Sequence, residues 1–85
     1  QWEALLPADK VILSMIANGL KDLHGQIAMK KIGDALGVGS SVNKNTTQNA
    51  LRRLSNKNLI TKVEHGTYQF EDEAFSDWVK HLEEG

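Results

Sequence analysis

Apolar residues recur at helical spacing three times before the pattern changes to strict alternation. Behind Pro7, which suits a first helical turn where its missing N–H costs nothing, Val11, Ile12, Met15 and Ile16 form one stripe. Gly19 can take a left-handed stop, with Leu20 placed to fold back on the helix end. A first helix is therefore expected over residues 7–18. A connection around Gly25 leads to a short strand at Gln26 and Ile27 and then a second helix over 28–36, with Met29, Ile32 and Leu36 inward, Lys30, Lys31 and Asp34 outward, and Gly37 as its stop.

The stretch 37–43 offers Ser41, Asn43 and, just beyond it, Asn45 as N-cap candidates, and a third helix is expected over 43–57. Residues 59–63 and 67–71 alternate as strands around Glu64-His65-Gly66, a tight hairpin turn in which Gly66 takes positive φ. Asp72 can cap a fourth helix in which Phe75, Trp78, Val79 and Leu82 make one apolar stripe. The expected fold is mainly α with a small β-hairpin, a winged helix-turn-helix: a three-helix core, a wing and a C-terminal helix that packs back on the core.

Eighty-five residues hold one domain with a modest core, so residues 1–85 are read as a single unit. Trp2, Leu5 and Leu6 stand where a free terminus is usually polar, and the chain opens on Gln1, so it reads as a domain excised from a longer protein. With no cysteine and no apolar run near the ~20 residues of a membrane span, the expectation is a cytoplasmic domain with no membrane partner.

Net charge is −1, but its distribution is uneven. Residues 35–63 carry Lys44, Arg52, Arg53, Lys57 and Lys62 with no acid, whereas 64–85 carry seven acids and only Lys80. A helix turns about 100° per residue, so relative to Asn45 at about 0° the residues Thr47, Ala50, Leu51 and Leu54 fall between about 140° and 240° and point inward. Asn45, Gln48, Asn49 and Arg52 fall within about 60° of the opposite direction, with Lys44 and Arg53 at their flanks. Amides can bond adenine bidentately in a major groove, and Arg can bond guanine or phosphate. Lys44, Asn45, Gln48, Asn49, Arg52 and Arg53 are thus the candidate contacts to double-stranded DNA. The alternative is an ordinary solvated face, and two features weigh towards it. The wing tip carries no base, with Lys62 the nearest, and the fourteen residues from Gly37 to Leu51 are about four more than a compact helix-turn-helix needs.

Catalysis has no constellation behind it. His24, His65 and His81 are far apart and lack cysteine partners, so no metal site is expected. Gly37-Val38-Gly39-Ser40-Ser41 follows a helix and lacks the Gly-Lys ending of a nucleotide loop, so it reads as a turn and no cofactor is expected in this segment. Phe75 and Trp78 read as core.

Several residues in order resemble a known family: Leu6-Pro7, Ile16-Ala17-Asn18-Gly19, Gly37-Val38-Gly39-Ser40-Ser41, Ala50-Leu51 with Leu54, Lys57, Leu59-Ile60, Gly66 with Tyr68 and Phe70, and Asp72 followed by Phe75 and Trp78. The series is similar to the C-terminal winged-helix domain of prokaryotic AAA-type (STAND-like) P-loop ATPases. The matched residues are mostly architectural, and Glu73 follows Asp72 where members usually carry proline. The resemblance implies that ATP and Mg bind in a domain upstream, while this part binds DNA or docks on its own ATPase domain or another protein.

Overall fold

The structure, a computed structural model, describes residues 2–20, 22–23, 25–39, 42–43, 45–64 and 67–84. After a single 3-10 turn, Trp2–Ala4, come α1 (Pro7–Ala17), α2 (Gln26–Leu36), α3 (Asn45–Asn56), β1 (Ile60–Glu64), β2 (Thr67–Phe70) and α4 (Glu73–Glu84). Among the described residues four helices and one two-stranded antiparallel hairpin therefore make a small, mainly helical α+β fold. Helix α1 is its axis, packing against α2, α3 and α4 and touching β2. Ile12, Leu13, Ile32, Leu54, Ile60 and Val79 are the largest fully buried apolar side chains of the shared core.

Three helix ends repeat one device. Gly19 (φ 84°) donates to Ile16 O while Leu20 N reaches Met15 O, and Leu20 packs on the core. Gly37 (φ 74°) donates to Asp34 O while Val38 N reaches Gly33 O. Asn58 (φ 61°) donates to Ser55 O while Leu59 N reaches Leu54 O. Each is a left-handed residue whose flanking N–H groups satisfy the last orphan carbonyls of the helix. The first two are the stops read from glycine; the third uses asparagine, the commonest substitute because its short polar side chain tolerates this backbone.

Three local expectations are corrected. Gln26 and Ile27 open α2 instead of forming a strand: Gly25 is extended and its carbonyl accepts from Met29 N, starting the helical ladder two residues early. Helix α3 begins at Asn45, because Asn43 lies outside it as its cap, and ends before Lys57. The apolar stripe of α4 is only partly inward, since Val79 is buried while Trp78 and Leu82 are each 45% exposed.

The hairpin pairs Ile60 with Phe70, Thr61 with Gln69 and Lys62 with Tyr68, and then shifts so that Glu64 meets Thr67, leaving Val63 as the extra residue of a bulge. Glu71 N donates to Leu59 O, so pairing reaches one residue beyond each strand at the open end. The expected turn glycine, Gly66, lies outside the described residues, as does His65. Of the amino-terminal apolar residues Leu5 is buried and Trp2 meets Phe75 and Trp78 edge-on at centroid distances of 6.3 and 5.7 Å, whereas Leu6 is exposed. Asp72 caps α4 as expected, its Oδ1 accepting from Ala74 N at 2.9 Å.

Candidate nucleic-acid interface

The turn that follows α2 comes close to that helix at Gly33. Gly33 is buried in α2, its carbonyl accepts from both Val38 and Gly39, and a Cβ added to it would overlap the carbonyl oxygen of Gly39. Val38 and Gly39 can thus lie against α2 because Gly33 has no side chain. Asn43 then starts α3, its Oδ1 accepting from Asn45 N at 2.8 Å and its carbonyl accepting from Thr46 N. Ser40, Ser41 and the candidate contact Lys44 lie outside the described residues.

Once started, α3 has the rotation that its sequence pattern implies. Thr47, Ala50, Leu51 and Leu54 are all buried. The hydroxyl of Thr47 has only a soft acceptor, Met29 Sδ at 3.9 Å. On the other side Asn45, Gln48 and Arg52 are exposed and Asn49 is half-buried. Arg52 Nη2 donates to Asn49 Oδ1 at 2.6 Å, so these two act as a pair one turn apart. No acid lies anywhere in α3.

Arg53 does not join that face. Its Nη2 donates to Asp9 Oδ1 at 2.6 Å and its Nε to Asp9 Oδ2 at 3.2 Å, a two-point fork from α3 to the first turn of α1. Asp9 is 1% exposed, whereas the Arg53 side chain keeps 37% of its surface in solvent. The hydrogen bond to Asp9, helped by the carboxylate charge and opposed by partial burial, raises the Arg53 pKa above its ordinary value. Its charge is balanced inside the fold, so the bases of this region that face water without a carboxylate among the described residues are Arg52, Lys57 and Lys62.

Asp9 is the functional neighbour that composition hid. It stands three residues before Ile12, four before Leu13 and seven before Ile16, on the apolar stripe of α1. An acid at an inward position of that kind calls for a basic partner, which is the signal that marks it. Elsewhere, among the described residues, no three His, Asp or Glu side chains converge to hold an ion, and no helix is long and apolar enough to cross a membrane. His81 Nδ1 is bound to the Asp77 carbonyl one turn earlier, and His24 lies outside the described residues.

No family model matches the chain, and none of the curated proteins or solved structures compared with it matches either.

Proposed function

We propose that the chain is a winged helix-turn-helix module without catalytic activity of its own, which presents α3 to the major groove of double-stranded DNA. The observation that carries the reading is the polar face of exposed Asn45, Gln48 and Arg52 and half-buried Asn49 on a helix without an acid, opposite a fully buried apolar face. Such a face has donors and acceptors for base edges and one guanidinium for guanine or phosphate. The resemblance of the sequence to the C-terminal domain of P-loop ATPases supports a parent protein in which ATP and Mg would belong to another part of the polypeptide and this module would work in the cytoplasm.

Arg53 is a positioning residue in this reading, because its fork to Asp9 holds α3 against α1. The test is fluorescence anisotropy of a labelled mixed-sequence duplex with the wild type and with Arg52→Ala/Gln48→Ala. For about three phosphate contacts, affinity should fall roughly 40-fold between about 50 and 200 mM salt. Loss of binding in the double variant supports α3 as the contact surface; absence of binding at the lower salt refutes the DNA reading. A second reading, docking on an ATPase core or another protein, is favoured by an apolar groove on the far side of α1.

A further inference from the structure

Helix α1 is covered on one side by α3 and flanked on the other by α2 and α4, which leave a groove between them. Its residues Lys10, Val11, Ser14 and Met15, with Asn18 just past its end, line a groove of about 1020 Å³, with α2 as one wall and α4 as the other. On a helical wheel these five centre about 170° from Asp9, the residue that holds Arg53 of α3. The groove and the candidate DNA face therefore lie on opposite sides of α1.

Its shape selects the occupant. The floor is one helix and the walls are two more, so the cylinder that fits is another helix, completing the bundle around α1. The lined length of α1, from Lys10 to Asn18, is about 12 Å, or two helical turns. A flat membrane surface cannot reach such a floor. Nor can the same groove of a second copy fill it, since two concave faces leave each other empty. The apolar ground is continuous with the outer face of α4: Leu82 and Trp2 line both the groove and the adjoining depression around Phe75 and Trp78.

Charge narrows the class further. Lys10 stands at one end with its Nζ 5.7 Å from the centre of the Trp2 ring, and Lys31 is exposed on the α2 wall. Among the described residues neither has a carboxylate within ion-pair distance, and Asp34 is the acid lining the groove against these two bases. We infer that this groove binds a short amphipathic helix of a protein partner, apolar on the face that meets Val11, Leu20 and Leu82 and carrying carboxylates opposite Lys10 and Lys31. The inference rests on the docking reading and is independent of DNA binding.

Trp2 and Trp78 are the two tryptophans of the chain and both border this ground, so intrinsic fluorescence reports occupancy. The probe is an end-blocked synthetic helix of about 15 residues with leucine at i, i+3, i+4 and i+7 and glutamate flanking that face, against the same peptide with lysine for glutamate. The expected result is saturable binding of the glutamate peptide with Kd below about 100 μM and at least tenfold weaker binding of the lysine peptide. Lys10→Glu/Lys31→Glu should reverse that preference, and Ala35→Glu, on an exposed wall position where the helix tolerates the change, should weaken the glutamate peptide at least tenfold. Arg52→Ala should leave it unchanged, which separates this result from the DNA test. No saturation by about 1 mM peptide with the domain still folded, or equal affinity for both peptides, overturns the inference. So does sedimentation of the free chain as a dimer that Ala35→Glu dissociates, because the groove would then belong to a second copy.

Discussion

Replacing Arg53 by alanine should destabilise the fold although the residue sits on the basic stretch of the chain. The substitution leaves the Asp9 carboxylate, 1% exposed, without either of its hydrogen bonds. Removing one partner of a fully buried ion pair costs about 3–5 kcal/mol, and the solvent reaching the Arg53 side chain reduces that to roughly 2–3 kcal/mol here. The opposite change is milder: in Asp9→Leu the freed guanidinium turns its head to water along its existing 37% exposure, at a cost of about 1 kcal/mol. The double variant Asp9→Leu/Arg53→Met removes both charges and should lie within about 1 kcal/mol of wild type. The assay is urea and thermal unfolding followed by helical circular dichroism, where 2–3 kcal/mol lowers Tm by roughly 10–20 °C for a chain of this size. Because the Arg53 pKa is raised, the stabilisation from its charge is complete below the ordinary arginine range and is lost only as pH rises through the higher folded-state value, so the cycle reads the same at pH 7 and pH 10 on its account. Arg53→Ala costing less than about 0.5 kcal/mol, or Asp9→Leu costing more than Arg53→Ala, would refute the reasoning.

Three further substitutions probe the devices that place α3. Gly33→Ala puts a Cβ into the carbonyl of Gly39 and should cost about 2–4 kcal/mol by urea unfolding, an unaltered midpoint being the contrary result. Asn58→Gly removes left-handed strain at φ 61° and should raise stability by about 0.5 kcal/mol, visible as a higher Tm; a lower Tm would show that the asparagine side chain contributes more than the backbone relief. Thr47→Val keeps the shape of a buried side chain whose hydroxyl has only a sulfur acceptor, and calorimetry should find it within about 0.5 kcal/mol of wild type or more stable, whereas a loss above about 1.5 kcal/mol would assign that weak hydrogen bond a structural role.

The elements were legible because each is encoded within ten or so neighbouring residues. The 3.6 period of Thr47, Ala50, Leu51 and Leu54 set the rotation of α3, Gly19 and Gly37 marked two helix ends, and the alternation on either side of residues 64–66 marked the hairpin. The polar face of Asn45, Gln48, Asn49 and Arg52 followed from the same geometry. Where the local signal is weak it misleads: Gln26 and Ile27 carry an extended pattern, but the Gly25 carbonyl begins a helix there.

Long-range placement is what the tertiary structure alone decided. Asp9 and Arg53 are 44 positions apart, and whether a guanidinium faces a groove or a buried carboxylate depends on the crossing of α1 and α3, which no periodicity within either helix contains. The same holds for α4. Its stripe names four apolar residues, but packing against α1 buries Val79 and leaves Trp78 and Leu82 at the surface, where Leu82 and Trp2 border the open groove and Trp78 the depression beside it. The sequence by itself thus determined the elements and their inward faces, through backbone geometry and the hydrophobic effect acting over a turn or two. Which polar groups are consumed inside the fold and which apolar ones are left outside it was decided by the packing of whole helices against one another.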